Sequence, residues 1–412
     1  MKKGIRLTFA AAAALLASQA MAVEVGAFDF NGYLRAGPVL SGAEASADTQ
    51  TYGKYSLGGA GQMYRLGNEG DFYGEFLLSH KQQVGAQSFS FGWMPAIFSP
   101  KPNPTSANNY ETAQLFVEMT GFDFAPNAKF WGGKRYQRSD VHIVDTFYIN
   151  YGNNVGAGVY DLNVGSAKLG VHAYSSDEFV GKKGTKATAS RITADLTEIN
   201  TNEGGKLRVV ASLVNGDYIN GSTGTSVSLK HDQADFGMKG LTNSVWLQAA
   251  QGHAALTGGY SDGKHNGVRA LDSINWQSGP WGGQAQAVFE RDTKTSDDNV
   301  DTKITRTSLG GRISYAVTQN FKMLAEVGMT TAKVAGVAGT ANLNKITIAP
   351  TLALNGDFWS RPELRFYVTH VTWNDAASSA GVGRVVDATP AALTDTSKRS
   401  ANLVGMQAEV WF

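Results

Sequence analysis

Apolar and polar residues alternate one for one through most of this chain. From Phe28 to Ala36, the residues Phe28, Phe30, Gly32, Leu34 and Ala36 share one face, and Asp29, Asn31, Tyr33 and Arg35 share the other. The same period recurs further along. Leu207, Val209, Ala211 and Leu213 oppose Lys206, Arg208 and Ser212, and Val245, Leu247 and Ala249 oppose Ser244, Trp246 and Gln248. Ala285, Ala287 and Phe289 oppose Gln284, Gln286 and Glu290. Leu309, Gly311, Ile313, Tyr315 and Val317 oppose Ser308, Arg312 and Ser314, and Phe321, Met323, Ala325, Val327 and Met329 oppose Asn320, Lys322 and Glu326. A period of two sends successive side chains to opposite sides of an extended backbone, so each segment predicts a β-strand. Turn clusters separate them: Asn153-Asn154-Val155-Gly156, Asn202-Glu203-Gly204-Gly205 and Ser296-Asp297-Asp298-Asn299. Helical periodicity is sustained nowhere.

Two all-β architectures compete. A sandwich needs tightly packed Val, Ile, Leu and aromatics between its sheets. Here many apolar-face positions are Gly or Ala, and the opposite face carries charge in nearly every strand. A transmembrane antiparallel barrel explains both faces at once, with lipid outside and water inside. The C-terminal strand agrees: Val404, Met406, Ala408, Val410 and Phe412 alternate with Gly405, Gln407, Glu409 and Trp411. An end on a terminal aromatic resembles the closing strand of bacterial outer-membrane proteins. At roughly 20–24 residues per strand and connection, the chain affords about 16–19 strands, an even number being expected, and a barrel of that size encloses an aqueous channel.

The N-terminus bears on compartment. Lys2, Lys3 and Arg6 precede an apolar run from Leu7 to Ala17, and Ala20-Met21-Ala22 is a small-x-small cleavage site. Residues 1–22 read as a secretory signal peptide, too short to span a bilayer, and residues 23–412 as one barrel domain. After the leader no apolar run reaches 18 residues, so no transmembrane helix is expected. Removing the leader's three cations takes the formal charge from +1 to −2. Near-neutrality without a basic block argues against a nucleic-acid partner. With 48 glycines but no G-X-Y period the chain is not collagen. With no cysteine at all, disulfide frameworks, zinc ribbons and thiol catalysis are excluded.

Enzymatic chemistry finds little support. The histidines at 80, 142, 172, 231, 253, 265 and 370 form no metal-ligand spacing, and Gly381-Val382-Gly383 lacks the third glycine of a dinucleotide loop. Glu75, Asp140 and Asp145 could cluster as acid and base. Their segments are dense in arginine, however, so pairing with Arg65, Arg135 or Arg138 in a polar lumen is the favoured reading. No cofactor, no metal and no enzyme activity are expected.

Two stretches, Trp131–Asp145 (WGGKRYQRSDVHIVD) and Lys345–Pro362 (KITIAPTLALNGDFWSRP), closely resemble the maltoporin family of outer-membrane sugar channels. Weaker matches follow the family's order: FNGYLRAG at Phe30–Gly37, YRLGNE at Tyr64–Glu69 and the terminal MQAEVWF. The resemblance implies an 18-stranded barrel, a homotrimer in the bacterial outer membrane, a third loop folded into the pore, and oligosaccharides moving along an aromatic strip beside ionisable groups. A sugar ring has an apolar face that stacks on aromatics and a hydroxyl rim that takes hydrogen bonds from charged groups.

Position by position, Tyr33, Tyr73 and Trp411 match strip aromatics. Parity independently puts Tyr33 on the face of Asp29, Asn31 and Arg35, and Tyr73 with Asp71 and Glu75. The constriction tyrosine aligns with Phe147, which keeps the ring and drops the hydroxyl. The polar partners Arg35, Arg65, Glu75, Arg138, Asp140, His142 and Asp145 match, while Ala113 replaces an arginine. Three strip positions depart: Thr105, Val227 and Leu352 stand where the family has aromatics, with Phe98 or Tyr110 as possible substitutes near the first. The implied function is facilitated diffusion of maltose, maltodextrins or related short oligosaccharides. The alternatives are a general diffusion pore, favoured by the three departures, and a channel for another sugar such as sucrose or a β-glucoside.

Overall fold

A computed structural model describes residues 28–42, 54–57, 64–100, 102–104, 109–180, 186–218, 221–295, 301–379, 385–386, 389–390 and 397–412. The expected leader, Thr105, the turn Ser296–Asn299 and Gly381–Gly383 lie outside these residues.

Among the described residues, eighteen antiparallel strands close into a barrel, each bonded to its neighbours in sequence and the last to the first. The seam joins Asp29–Ala36 to Ser400–Trp411 in a register that sets Tyr33 opposite Trp411 and Arg35 opposite Glu409. A short piece, Val39–Ser41, extends the first strand past Gly37-Pro38 along the same partner. No helix among the described residues is long and apolar enough to cross a membrane. Closure leaves no open edge strand among the described residues, so the ladder groups pair internally, as a hydrocarbon solvent demands.

Exposure is inverted relative to a water-soluble core. Leu309 is 62% exposed and Leu213 54%, whereas Arg312 and Glu326 on the opposite faces are 1% and 0% exposed. The apolar face is the outer wall and the polar face the inner one, as the alternation predicted. The strands exceed their alternating segments: Tyr260–Ser278 runs 19 residues and Trp281–Thr295 runs 15. The excess is polar on both faces, as at Thr293 and Asp301, because a strand standing clear of the hydrocarbon needs no apolar side.

Connections alternate between the two rims, and those of one rim include the longest. The third of these, residues 135–154, folds into the lumen as expected from the resemblance. It carries a small hairpin, Arg138–Val141 with Thr146–Asn150, joined by a single 3-10 turn, His142–Val144, and by Asp145 in the left-handed region (φ 51°). Val141, Ile143, Val144, Tyr148, Ile149 and Tyr151 are buried against Trp131, Tyr174, Trp246, Leu271 and Val288 of the wall. Wall glutamines satisfy its polar groups: Ile143 N donates to Gln284 Oε1, Tyr148 Oη to Gln286 Oε1, and Gln248 Nε2 to the Tyr148 carbonyl. The Asn153-Asn154 cluster thus ends this inward loop rather than forming a tight turn between neighbouring strands.

The first connection also enters the lumen, which no sequence pattern indicated. Tyr55, Leu57 and Leu66 pack against Leu324, Ala349, Tyr367, Val371 and Trp373. Leu66 N donates to Glu326 Oε1, and the Leu66 carbonyl accepts from Lys345 Nζ and Thr347 Oγ1. Tyr64 lies flat on the wall at Gly310 and Gly328, where a Cβ on Gly328 would stand 1.9 Å from the ring. The two inward loops meet where Arg65 N donates to the Ile143 carbonyl at 2.9 Å.

Candidate functional site

Where these loops approach the seam, an open cavity of about 720 Å³ remains. It is lined by Tyr33, Tyr73, Trp411, Phe147, Arg35, Arg65, Glu75, Arg138, Asp140, His142 and Asp145, the strip, constriction and polar positions that the resemblance implied. Gln284 and Trp359 complete it.

Strand parity places the seam aromatics. Tyr33, Tyr73 and Trp411 occupy inward positions of three adjacent strands, and the ladder brings Tyr33 beside both Trp411 and Glu75. The Tyr33 and Tyr73 rings are 5.8 Å apart, and Phe98, across the ladder from Tyr73, follows at 6.3 Å. At the other end Trp359 lies 6.4 Å from Trp411. The tyrosine hydroxyls are already committed: Tyr33 Oη donates to Glu409 at 2.9 Å and Tyr73 Oη to Glu75 at 2.6 Å. What these residues present to the cavity is therefore ring surface.

The ionisable residues divide into two kinds. Arg35 pairs with Glu69, Asp71 and Asp145 at 3.0, 2.9 and 3.3 Å. Arg65 pairs with Glu69 and Glu409 at 2.9 and 3.0 Å and reaches His142 Nδ1 at 3.1 Å. Both arginines are buried, and their charge is spent on holding the first loop, the third loop and the seam together. Arg138 differs. It donates from Nη2 to Glu75 at 2.6 Å and lies between the rings of Tyr136 (3.9 Å) and Phe147 (4.4 Å). Among the described residues neither its Nε nor its Nη1 is bonded. Asp140 is exposed and enters no ion pair among the described residues. Arg138 and Asp140 thus leave a donor and an acceptor uncommitted at the cavity.

Of the three acids, Glu75 pairs with Arg138 as expected. Asp145 pairs with Arg35, a partner not foreseen, and Arg135 turns instead to Glu118. Partial burial raises the Asp145 carboxyl, but Arg65, Arg35 and Lys54 outweigh it and hold the group at about 2. His142 is pushed well below its ordinary value, first by burial and then by Arg65, Arg361 and Arg312, against the pull of Glu409. It is neutral at pH 7, so only one of its two ring nitrogens can accept.

Two strip positions are corrected. Val227 and Leu352 sit on outward-facing ladder positions, Leu352 opposite Phe321 and Leu364, so neither belongs to the lumen. Their apolar character is what the outer wall requires. Tyr110 pairs with Ile97 on the same outer face, leaving Phe98 as the inward aromatic of that region. Trp359 was missed. It sits in the turn 354–362, where no alternation exists to assign a face, although the matched stretch containing it was a signal. Ala113 is buried beside Met94 and Ala96.

The family model described as LamB porin matches residues 28–412. A maltoporin of Vibrio cholerae serotype O1 is 29% identical over 421 residues, taking in 92% of this chain and 96% of that protein. Among solved structures, OccAB1 of Acinetobacter baumannii shares the fold with a TM-score of 0.52 at 9% identity, over 93% of this chain and 96% of that one.

Proposed function

The chain belongs to the LamB porin family of bacterial outer-membrane channels, and from that premise we propose that it admits short linear oligosaccharides, maltose and maltodextrins foremost, by facilitated diffusion. The observation that carries this reading is the convergence of Trp359, Trp411, Tyr33 and Tyr73 with Arg138 and Asp140 on one cavity. Rings supply stacking surface for the apolar faces of successive sugar units, and the charged pair takes over hydrogen bonds from water. Several similar weak contacts in series let a ligand enter and leave, as conduction requires. In this reading residues 1–22 are a signal peptide removed on export, residues 23–412 form one barrel domain, and three copies assemble in the outer membrane.

The deciding experiment is ion conductance through the reconstituted channel during titration with maltose, maltotriose and longer maltodextrins, with sucrose and a β-glucoside as comparators. Saturable block without hydrolysis is expected. A second reading, a general diffusion pore, draws on the outward positions of Val227 and Leu352 and on the missing hydroxyl at Phe147. It replaces the first if no sugar changes the current up to high millimolar concentration.

A further inference from the structure

The inference concerns Arg361, a residue of the turn 354–362 that does not line the cavity. Its guanidinium carbon stands 4.0 Å from the centre of the Trp411 ring. Each of its nitrogens faces a protein group. Nε donates to Glu409 at 2.8 Å, Nη1 to the carbonyls of Phe358 and Ser360 at 3.0 and 2.9 Å, and Nη2 approaches His142 Nε2 at 3.2 Å. Nη1 also pairs with Glu363 at 3.1 Å, and the side chain is 1% exposed. Held so, it has no donor left for a ligand. What it offers is a flat plate against one face of the indole. His142 meets the same ring edge-on at 89° and 5.5 Å. Arg361 covers one face of Trp411, while the residue still lines the cavity.

We infer that Arg361 is a positioning residue for Trp411, backing one indole face so that the ring meets a sugar with the opposite face in a single orientation. The inference rests on the sugar-channel reading above. Only a planar, delocalised cation can stack and bond along its rim at the same time; lysine keeps the charge and loses the plate. The neighbouring acids keep other partners when Arg361 is replaced. Without Arg361, Glu409 still has Arg65 and Arg365, and Glu363 still has Arg365 and Lys322.

The test is maltotriose block of ion current through reconstituted full-length channels, comparing the wild type with Arg361→Lys, Arg361→Ala, Trp411→Ala and the double variant Trp411→Ala/Arg361→Lys. Arg361→Lys should weaken block about threefold to tenfold, mainly through faster release. In the Trp411→Ala background the same change should add nothing, because a backing residue acts only through the ring it backs. A purely structural role would lower affinity in both backgrounds. Wild-type block in Arg361→Lys beside weakened block in Trp411→Ala overturns the inference and leaves the sugar reading intact. Additive losses, or failure of both Arg361 variants to assemble, also overturn it. Unchanged block in Trp411→Ala removes the ligand contact at this ring, and the inference with it.

Discussion

Tyr33 and Trp411 stand opposite each other across the seam where the first strand meets the last, although 378 positions separate them in the chain. Both point inward, and the Tyr33 hydroxyl is bonded to Glu409, the inward residue two before Trp411. Barrel closure therefore brings these two rings together, and neither end of the chain could do so alone.

Trp411→Ala should weaken sugar block by on the order of 1 kcal/mol, by analogy with aromatic-pair contacts, or roughly fivefold to tenfold in affinity. Assembly should survive, since the outward face of the strand is untouched. Phe412→Ala is the contrasting control: Phe412 is half-exposed on the outer wall and packs 5.2 Å from Phe30, so its loss should impair assembly. Block titration on folded channels, beside heat-modifiable mobility in gels, separates the two effects. Trp411→Ala channels that fail to fold, with unchanged affinity in the surviving fraction, would make the residue structural.

Phe147→Tyr restores a hydroxyl on a ring already backed by Arg138 at 4.4 Å. Small-ion conductance should fall and linear maltodextrin block should tighten, because the added oxygen narrows the cavity and offers a hydrogen bond. Unchanged conductance and affinity would mean that Phe147 does not stand at the constriction.

Gly328→Val places carbon where the Tyr64 ring now lies. Overpacking of this kind costs about 1–3 kcal/mol, and the first loop is the part able to give way. Conductance should rise and thermal stability should fall. Tyr64→Ala, which removes the obstacle, should make the same glycine replaceable; continued destabilisation in that background would refute the contact.

The third loop should respond to acid in a defined window. The Asp145 carboxyl is held at about 2, below its unfolded value near 3.9, so its pairing contributes full stability above that value and is lost as the pH falls towards 2. His142 is depressed from about 6.5, so below that pH the unfolded chain takes up a proton that the folded one refuses, and stability declines as acid is added. Its charge in the folded channel does not change between pH 8 and 6. Conductance and sugar block should accordingly be flat over that interval. A step near pH 6.5 that vanishes in His142→Gln would contradict a neutral His142.

What the sequence by itself determined is which way a side chain faces. The period of two assigned Phe30, Leu309 and Met329 to the lipid side and Tyr33, Glu326 and Trp411 to the lumen, because an extended backbone leaves no other geometry. The resemblance to a known family then picked out most of the residues of one cavity. Tertiary structure decided what those inward residues do. Arg35 and Arg65 are spent on Glu69, Asp71 and Glu409, whereas Arg138 and Asp140 remain open, and this depends on loops that parity does not describe. The first loop's entry, seated by Glu326, Lys345 and Thr347, rests on contacts 260 to 281 positions apart. Trp359 shows the same limit from the other side: in a turn the backbone has no period, so only folding reveals that the ring meets Trp411.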